Sequence, residues 1–238
     1  DEFTNKYKTY QLGYDAQAGE WRVGAAYEYS DGSLNYTSGS GENKIGAISL
    51  YGTLQGKDNS ALDIVVKRGR IYGDMDIYGK YSDQGDYSTD ATSIGVEYSK
   101  RFDGGNNVYF EPQAQLTFGR IDGYDYVSAK GIRVAYDDIN SLIGRLGIVG
   151  GKAFSRGDVY VKASLLHEFS GDSSVTMLAA NGESYMEDQD YGDTWLEVGI
   201  GGNITLGKNC ELYGEVERSF GGDVTKNWGA NVGFRYSF

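Results

Sequence analysis

Breakers and staples are scarce in this chain. Its 238 residues hold one proline (Pro112), one cysteine (Cys210) and one histidine (His167). A lone cysteine cannot form an internal disulfide, so the fold is not disulfide-stapled. No run approaches the roughly eighteen apolar residues of a transmembrane helix, and mean hydropathy is −0.48. A helical membrane protein is therefore excluded. Basic residues are in deficit: 22 Lys and Arg against 34 Asp and Glu leave a formal net charge of −12. A nucleic-acid partner, which wants a basic patch, is not expected. The acidity either keeps loops solvated or meets divalent cations at a lipopolysaccharide surface. No amino-terminal signal segment is present, which fits a leader removed on export or an excerpt from a longer precursor.

What the chain has instead is 21 tyrosines and 36 glycines, strand formers beside turn formers. The carboxy terminus shows how they are used. Counting back by twos gives Phe238, Tyr236, Phe234, Val232, Ala230 and Trp228; between them stand Ser237, Arg235, Gly233, Asn231 and Gly229. A strand points alternate side chains to opposite faces, so one face is wholly apolar and the other polar or small. The length matches the roughly 9–11 residues that a tilted strand needs to cross a bilayer. Aromatics sit at both ends of the apolar face, where interfacial girdles are expected.

The two-residue period recurs throughout. Trp21, Val23, Ala25, Tyr27 and Tyr29 alternate with Arg22, Gly24, Ala26, Glu28 and Ser30. Phe110, Pro112, Ala114, Leu116 and Phe118 oppose Glu111, Gln113, Gln115 and Thr117. About eleven such segments, each near ten residues, predict an all-β fold. It is a transmembrane, antiparallel, up-and-down β-barrel, with residues 1–238 as a single domain. Short connections fall near Ala16–Gly19, Gly56–Asn59, Asp103–Asn107, Phe154–Gly157 and Gly207–Asn209. Longer ones fall near Asp31–Asn43, Gly69–Asp90, Asp122–Asn140 and Gly171–Asp193. Short periplasmic turns and long outer loops put the carboxy terminus in the periplasm and Asp1 outside. An odd strand count leaves two edges running the same way, and antiparallel closure fails. Either one upward strand precedes Asp1 and makes twelve, or Gly69–Asp90 hides another, built on Arg70, Tyr72, Asp74, Asp76 and Tyr78.

The polar face carries both signs of charge. Expected to line a lumen are Arg22, Glu28, Glu97, Arg101, Glu111, Gln113, Arg145, Lys162, Glu197, Glu215, Glu217 and Arg235. Twelve strands lie between the roughly eight whose interior side chains fill and the sixteen or more of an open channel. Such a lumen holds water and has room for one helix or one or two extended segments. Catalytic signals are poor. His167 falls on the apolar face between Leu165 and Phe169, where a general base would point at lipid headgroups, and no Ser-His-Asp set is placed beside it. Metal-ligand spacings of Cys and His are absent. Gly199-Ile-Gly-Gly202 precedes no helix and cradles no phosphate. No catalytic residue, metal site or cofactor is expected.

Phe110-Glu-Pro-Gln-Ala-Gln-Leu116, Ser141-Leu-Ile-Gly-Arg-Leu-Gly147, Lys162-Ala-Ser-Leu-Leu-His-Glu-Phe169 and Glu217-Arg-Ser-Phe-Gly-Gly-Asp223 resemble strands of autotransporter β-domains. Gly233-Phe-Arg-Tyr-Ser-Phe238 resembles that family's ending, and the resemblance covers essentially the whole chain in order. It implies a type V secretion translocator: a twelve-stranded barrel in the outer membrane of a Gram-negative bacterium, with a linker helix in its lumen. The implied function is export of an amino-terminal passenger. The implied partners are the protein's own passenger and linker, outer-membrane lipid and lipopolysaccharide, and the barrel-assembly machinery. The resemblance makes Phe234, Tyr236 and Phe238 the signal read by that machinery. Some members cut their own linker with an acidic side chain. Here the linker is not in the sequence, so no cleavage residue carries over and no enzyme is expected. The chain departs from the family in lacking the first strand. Two other functions fit the residues: a stand-alone pore for small solutes, and a surface adhesin acting through Asp31–Asn43 and Gly171–Asp193.

Overall fold

A computed structural model describes residues 3–222 and 225–238. In chain order the strands are β1 (Phe3–Ala18), β2 (Trp21–Tyr36), β3 (Gly39–Gln55), β4 (Ser60–Ile77), β5 (Asp83–Lys100), β6 (Phe102–Asp103), β7 (Val108–Ile121) and β8 (Tyr124–Val127). Then come β9 (Arg133–Tyr136), β10 (Ile139–Phe154), β11 (Gly157–Glu168), β12 (Asp172–Leu178), β13 (Ser184–Asp190), β14 (Thr194–Leu206), β15 (Cys210–Phe220) and β16 (Gly229–Tyr236). One antiparallel sheet runs β1-β2-β3-β4-β5-β7-β10-β11-β14-β15-β16, with the short β6 added against β7.

Register sorts the side chains by face. Leu146 stands opposite Leu165, Leu165 opposite Leu196 and Leu196 opposite Phe220, an apolar row across four strands. Farther along the same face, Leu12 stands opposite Tyr27 and Tyr27 opposite Ile48. These rows point away from the protein: Leu12 is 81%, Leu146 67% and Val232 79% exposed. Buried hydrophobic residues are few and include Ala26, Ala47, Tyr109 and Leu166. The apolar matter thus forms an outer belt instead of a core, and a belt this large marks a surface that something apolar covers.

The opposite face is concave. Arg145 on β10 reaches Glu97 on β5 across the intervening β7. The sheet's two ends also meet: Arg235 on β16 lies 3.8 Å from Asp15 on β1, and the rings of Tyr14 and Phe238 stack at 6.0 Å. Close approach is built into the wall. Tyr109 faces Gly151 across the β7–β10 pair, and a Cβ on that glycine would stand 2.4 Å from the tyrosine ring. Tyr160 lies over Gly201 in the same way. Glycine lets each ring lie flat on the next strand.

Several sequence expectations need correction. The eleven strands along the main sheet's path run from 8 to 18 residues instead of uniformly near ten. Asp31–Asn43 is no long loop: β2 and β3 continue through it and turn at Thr37 and Ser38. Gly69–Asp90 prolongs β4 and β5, joined through a 3-10 turn at Gly79–Tyr81, and adds no further strand. The reason is a change of phase. In these upper segments Asp31, Ser33 and Asn35 point outward while Leu34 and Tyr36 point inward. The two-residue period persists, but polar residues now take the outer face. That exchange marks where the apolar belt ends.

Asp122–Asn140 and Gly171–Asp193 are not simple loops either. They form the hairpins β8–β9 and β12–β13, which join through β9 and β12 into a second, four-stranded sheet. Gly131 and Gly182 supply φ of +80° and +88° at the two hairpin turns, a conformation glycine adopts without strain. On the closing strand, regular pairing spans Gly229–Tyr236, so Trp228, Ser237 and Phe238 lie just beyond it. Asp223, the last residue of one family-like segment, is outside the described residues. Eleven successive antiparallel neighbours leave β1 and β16 running in the same direction. Among the described residues no backbone ladder joins them.

Candidate functional site

The inward wall from β7 round to β15 borders a cavity of about 570 Å³, lined largely by charged and amide side chains from five strands and by Arg101. Arg145 is its hub. Its guanidinium donates to Glu97 Oε2 (2.7 Å), Gln115 Oε1 (2.7 Å), Gln113 Oε1 (3.1 Å) and Ser164 Oγ (3.2 Å). A planar fork suits this role, because its donors point in fixed, diverging directions. One side chain thereby ties β10 to β5, β7 and β11.

A second cluster lies on β11, β14 and β15. Lys162 donates to Glu215 and, at 3.0 Å, to Glu217. The Tyr160 hydroxyl donates to Glu215 at 2.7 Å. Lys226, between β15 and β16, donates to Glu217 at 2.6 Å and stands 3.6 Å from Glu197. Signs alternate along the chain of contacts, so no cation there is left alone. On the facing wall Lys67 donates to Glu28 at 3.0 Å and Arg22 to Asp15 at 3.3 Å. Arg235 bridges Asp15 and Glu211 at 3.8 and 3.9 Å. Arg101, one residue past β5, covers the Tyr109 ring at 3.6 Å and donates to Asp103 at 2.8 Å. Glu111 accepts from Gln113 at 2.9 Å.

The residues read from the sequence as one polar face are therefore brought together as paired clusters. Sequence reasoning missed Lys226, which belongs to no strand and so has no periodic signal. Tyr160, Gln115 and Ser164 fall on the polar face in the sequence, but their pairings depend on register. Asp15 was legible: it follows Gln11 and Gly13 on the polar side of β1.

Among the described residues the histidine is not set beside a nucleophile in the lumen. His167 faces outward, its Nδ1 2.7 Å from Thr194 Oγ1 and its ring edge-on to Phe169 at 4.5 Å. Among the described residues no group of three or more His, Cys, Asp or Glu could hold a metal. The closing aromatics Phe234, Tyr236 and Phe238 all project into the outer belt, at 60%, 55% and 89% exposure.

At the long-connection end a tyrosine cluster joins the two sheets. Tyr87 of β5 stacks on Tyr124 at 4.4 Å, and Tyr124 on Tyr136 at 4.8 Å. Tyr126 lies against Gly85, where a Cβ would meet its ring at 2.4 Å. Burial, and then the neighbouring tyrosines, push the phenols of Tyr124 and Tyr126 well above their ordinary value. Burial raises Tyr136 as well.

Comparison with known proteins adds to this geometry. The family model described as "Autotransporter beta-domain" matches residues 1–217. The chain is 29% identical over 248 residues to the pertactin autotransporter of Bordetella parapertussis, covering 99% of this chain and 26% of that protein. It is 29% identical to the BrkA autotransporter of Bordetella pertussis, covering 95% of this chain and 23% of that one. The chain thus spans about a quarter of the length of these curated relatives. In structure it resembles the β-domain of the Bordetella autotransporter BrkA, with a TM-score of 0.76 at 24% identity over 99% of this chain and 92% of that one. It also resembles the translocator domain of NalP from Neisseria meningitidis, with a TM-score of 0.76 at 13% identity over 99% and 82%.

Proposed function

Because this chain belongs to the autotransporter β-domain family, we propose that it is the translocator unit of a longer precursor. It inserts in the outer membrane of a Gram-negative cell and supports export of an amino-terminal passenger. The observation that carries this reading is the continuous row of exposed leucines and aromatics around a sheet whose other face holds the charges. Such a belt is stable only in hydrocarbon. The passenger's linker occupies the polar lumen, and one further strand pairs with the free edges of β1 and β16. Phe234, Tyr236 and Phe238 serve as the signal for the barrel-assembly machinery, and the outer belt meets lipid and lipopolysaccharide. No self-cleavage is assigned to these residues. An adhesin acting through Asp31–Asn43 loses its loop, since that segment is paired strand.

The test is passenger display. Intact cells making the full precursor should expose the passenger to added protease, and cells making a precursor with β14–β16 deleted should not. Equal exposure in both would refute the translocator role.

A further inference from the structure

We propose that the lumen is cation-selective, so that the emptied passage conducts K⁺ in preference to Cl⁻. The inference rests on the membrane-spanning reading above and concerns the charge left on the wall after its internal pairs are matched. The cations of the inward face are all engaged by carboxylates, Arg145 by Glu97 and Lys162 by Glu215 and Glu217 among them. The carboxylates are in excess. Asp63 accepts from the Thr53 hydroxyl and lies directly opposite Glu97 in the β4–β5 register. Glu111 accepts from the Gln113 amide. Asp158 accepts from Tyr109 and Asn203, both at 2.7 Å. Among the described residues none of these three has a cationic partner within 4.0 Å.

Neutral donors satisfy the lone pairs of a carboxylate but do not cancel its charge. Asp63, Glu111 and Asp158 each fall within the first four residues of β4, β7 and β11, which all begin at short turns. The surplus therefore gathers toward one mouth of the lumen, and Glu111 and Asp158 line the same cavity. Low-dielectric walls focus the field of fixed charges into the water they enclose. Unneutralised carboxylates in a pore wall are a cation-favouring arrangement. Asp63 lies opposite Glu97, an arrangement unfavourable for facing strands; Arg145 neutralises Glu97 and leaves the Asp63 charge unmatched.

The folded 238-residue chain in planar bilayers under a KCl gradient gives the readout, because the sign of the reversal potential reports which ion passes. A severalfold K⁺ preference is expected, falling toward unity in the D63N/E111Q/D158N variant. If that variant does not fold, judged by heat-modifiable gel mobility, Asp63→Asn alone should lower the ratio, since an amide still accepts from Thr53. A chloride preference, a ratio unmoved by the substitutions, or no conductance at all would overturn the proposal. Loss of display from the unsubstituted precursor, with K⁺ preference intact, would strike the translocator reading alone.

Discussion

Arg145 and Glu97 show how a charged pair works inside a wall of this kind. They are held at 2.7 Å with most of both side chains covered, so removing the guanidinium leaves a carboxylate beside Asp63 with its best donor gone. Arg145→Gln should cost about 1.5–3 kcal/mol, the range for hydrogen bonds to charged groups. Glu97→Gln should then cost less in that background than alone, and urea unfolding of the four species measures the coupling. The outer face obeys the opposite rule. Leu146→Arg should cost about 2–4 kcal/mol near the bilayer midplane, because hydrocarbon cannot solvate the charge. Asn203→Arg should be far milder, since residue 203 already touches Asp158. Unfolding from lipid vesicles compares them, and equal costs would remove the distinction between faces.

Whole strands differ in how plainly the sequence announces them. The apolar–polar alternation of β2, β7 and β16 needs only one bilayer-facing side, and so it was read with the correct face outward. Above the belt the same alternation continues with its polarity exchanged, as at Asp31, Ser33 and Asn35. A polar outer face is indistinguishable in composition from a loop. The hairpins β8–β9 and β12–β13 escaped for another reason: strands of four and seven residues give too few alternations to stand out. The clusters around Arg145 and Lys162 were legible as charges on one face. Their pairings were not, because a contact between β10 and β5 depends on register and curvature.

Two predictions belong to single elements. Phe238→Ala or Tyr236→Ala should slow insertion, followed by heat-modifiable mobility, more than Phe118→Ala does. On the proposed reading the carboxy-terminal edge, with Tyr236 on β16 and Phe238 just beyond it, is read by the assembly machinery, whereas Phe118 lies on a strand paired on both sides. The second, four-stranded sheet should show its tyrosines in high pH. Tyr124, Tyr126 and Tyr136 keep their protons in the folded state beyond the value of about 10 that free tyrosine has. Unfolded chains ionise first, so this contribution to stability is full below pH 10 and is lost as pH rises above it. Absorbance near 295 nm should reveal a late-titrating group of phenols that unfolding abolishes.

At the scale of the molecule, eleven antiparallel strands curl until β1 and β16 touch through Tyr14, Phe238, Asp15 and Arg235, and their shared direction leaves a seam without a ladder. The odd count was evident from the sequence; that no strand hides in Gly69–Asp90 needed the structure. The central claim is that one face of this sheet meets lipid and the other meets water. A nitroxide scan tests it most directly, with single cysteines placed along β10 from Leu142 to Val149 in a Cys210→Ser background and the protein folded into vesicles. Accessibility to oxygen should peak at 142, 144, 146 and 148, and accessibility to a water-soluble relaxant at 143, 145, 147 and 149. A scan with no two-residue period, or with even positions open to the aqueous relaxant, would contradict the account.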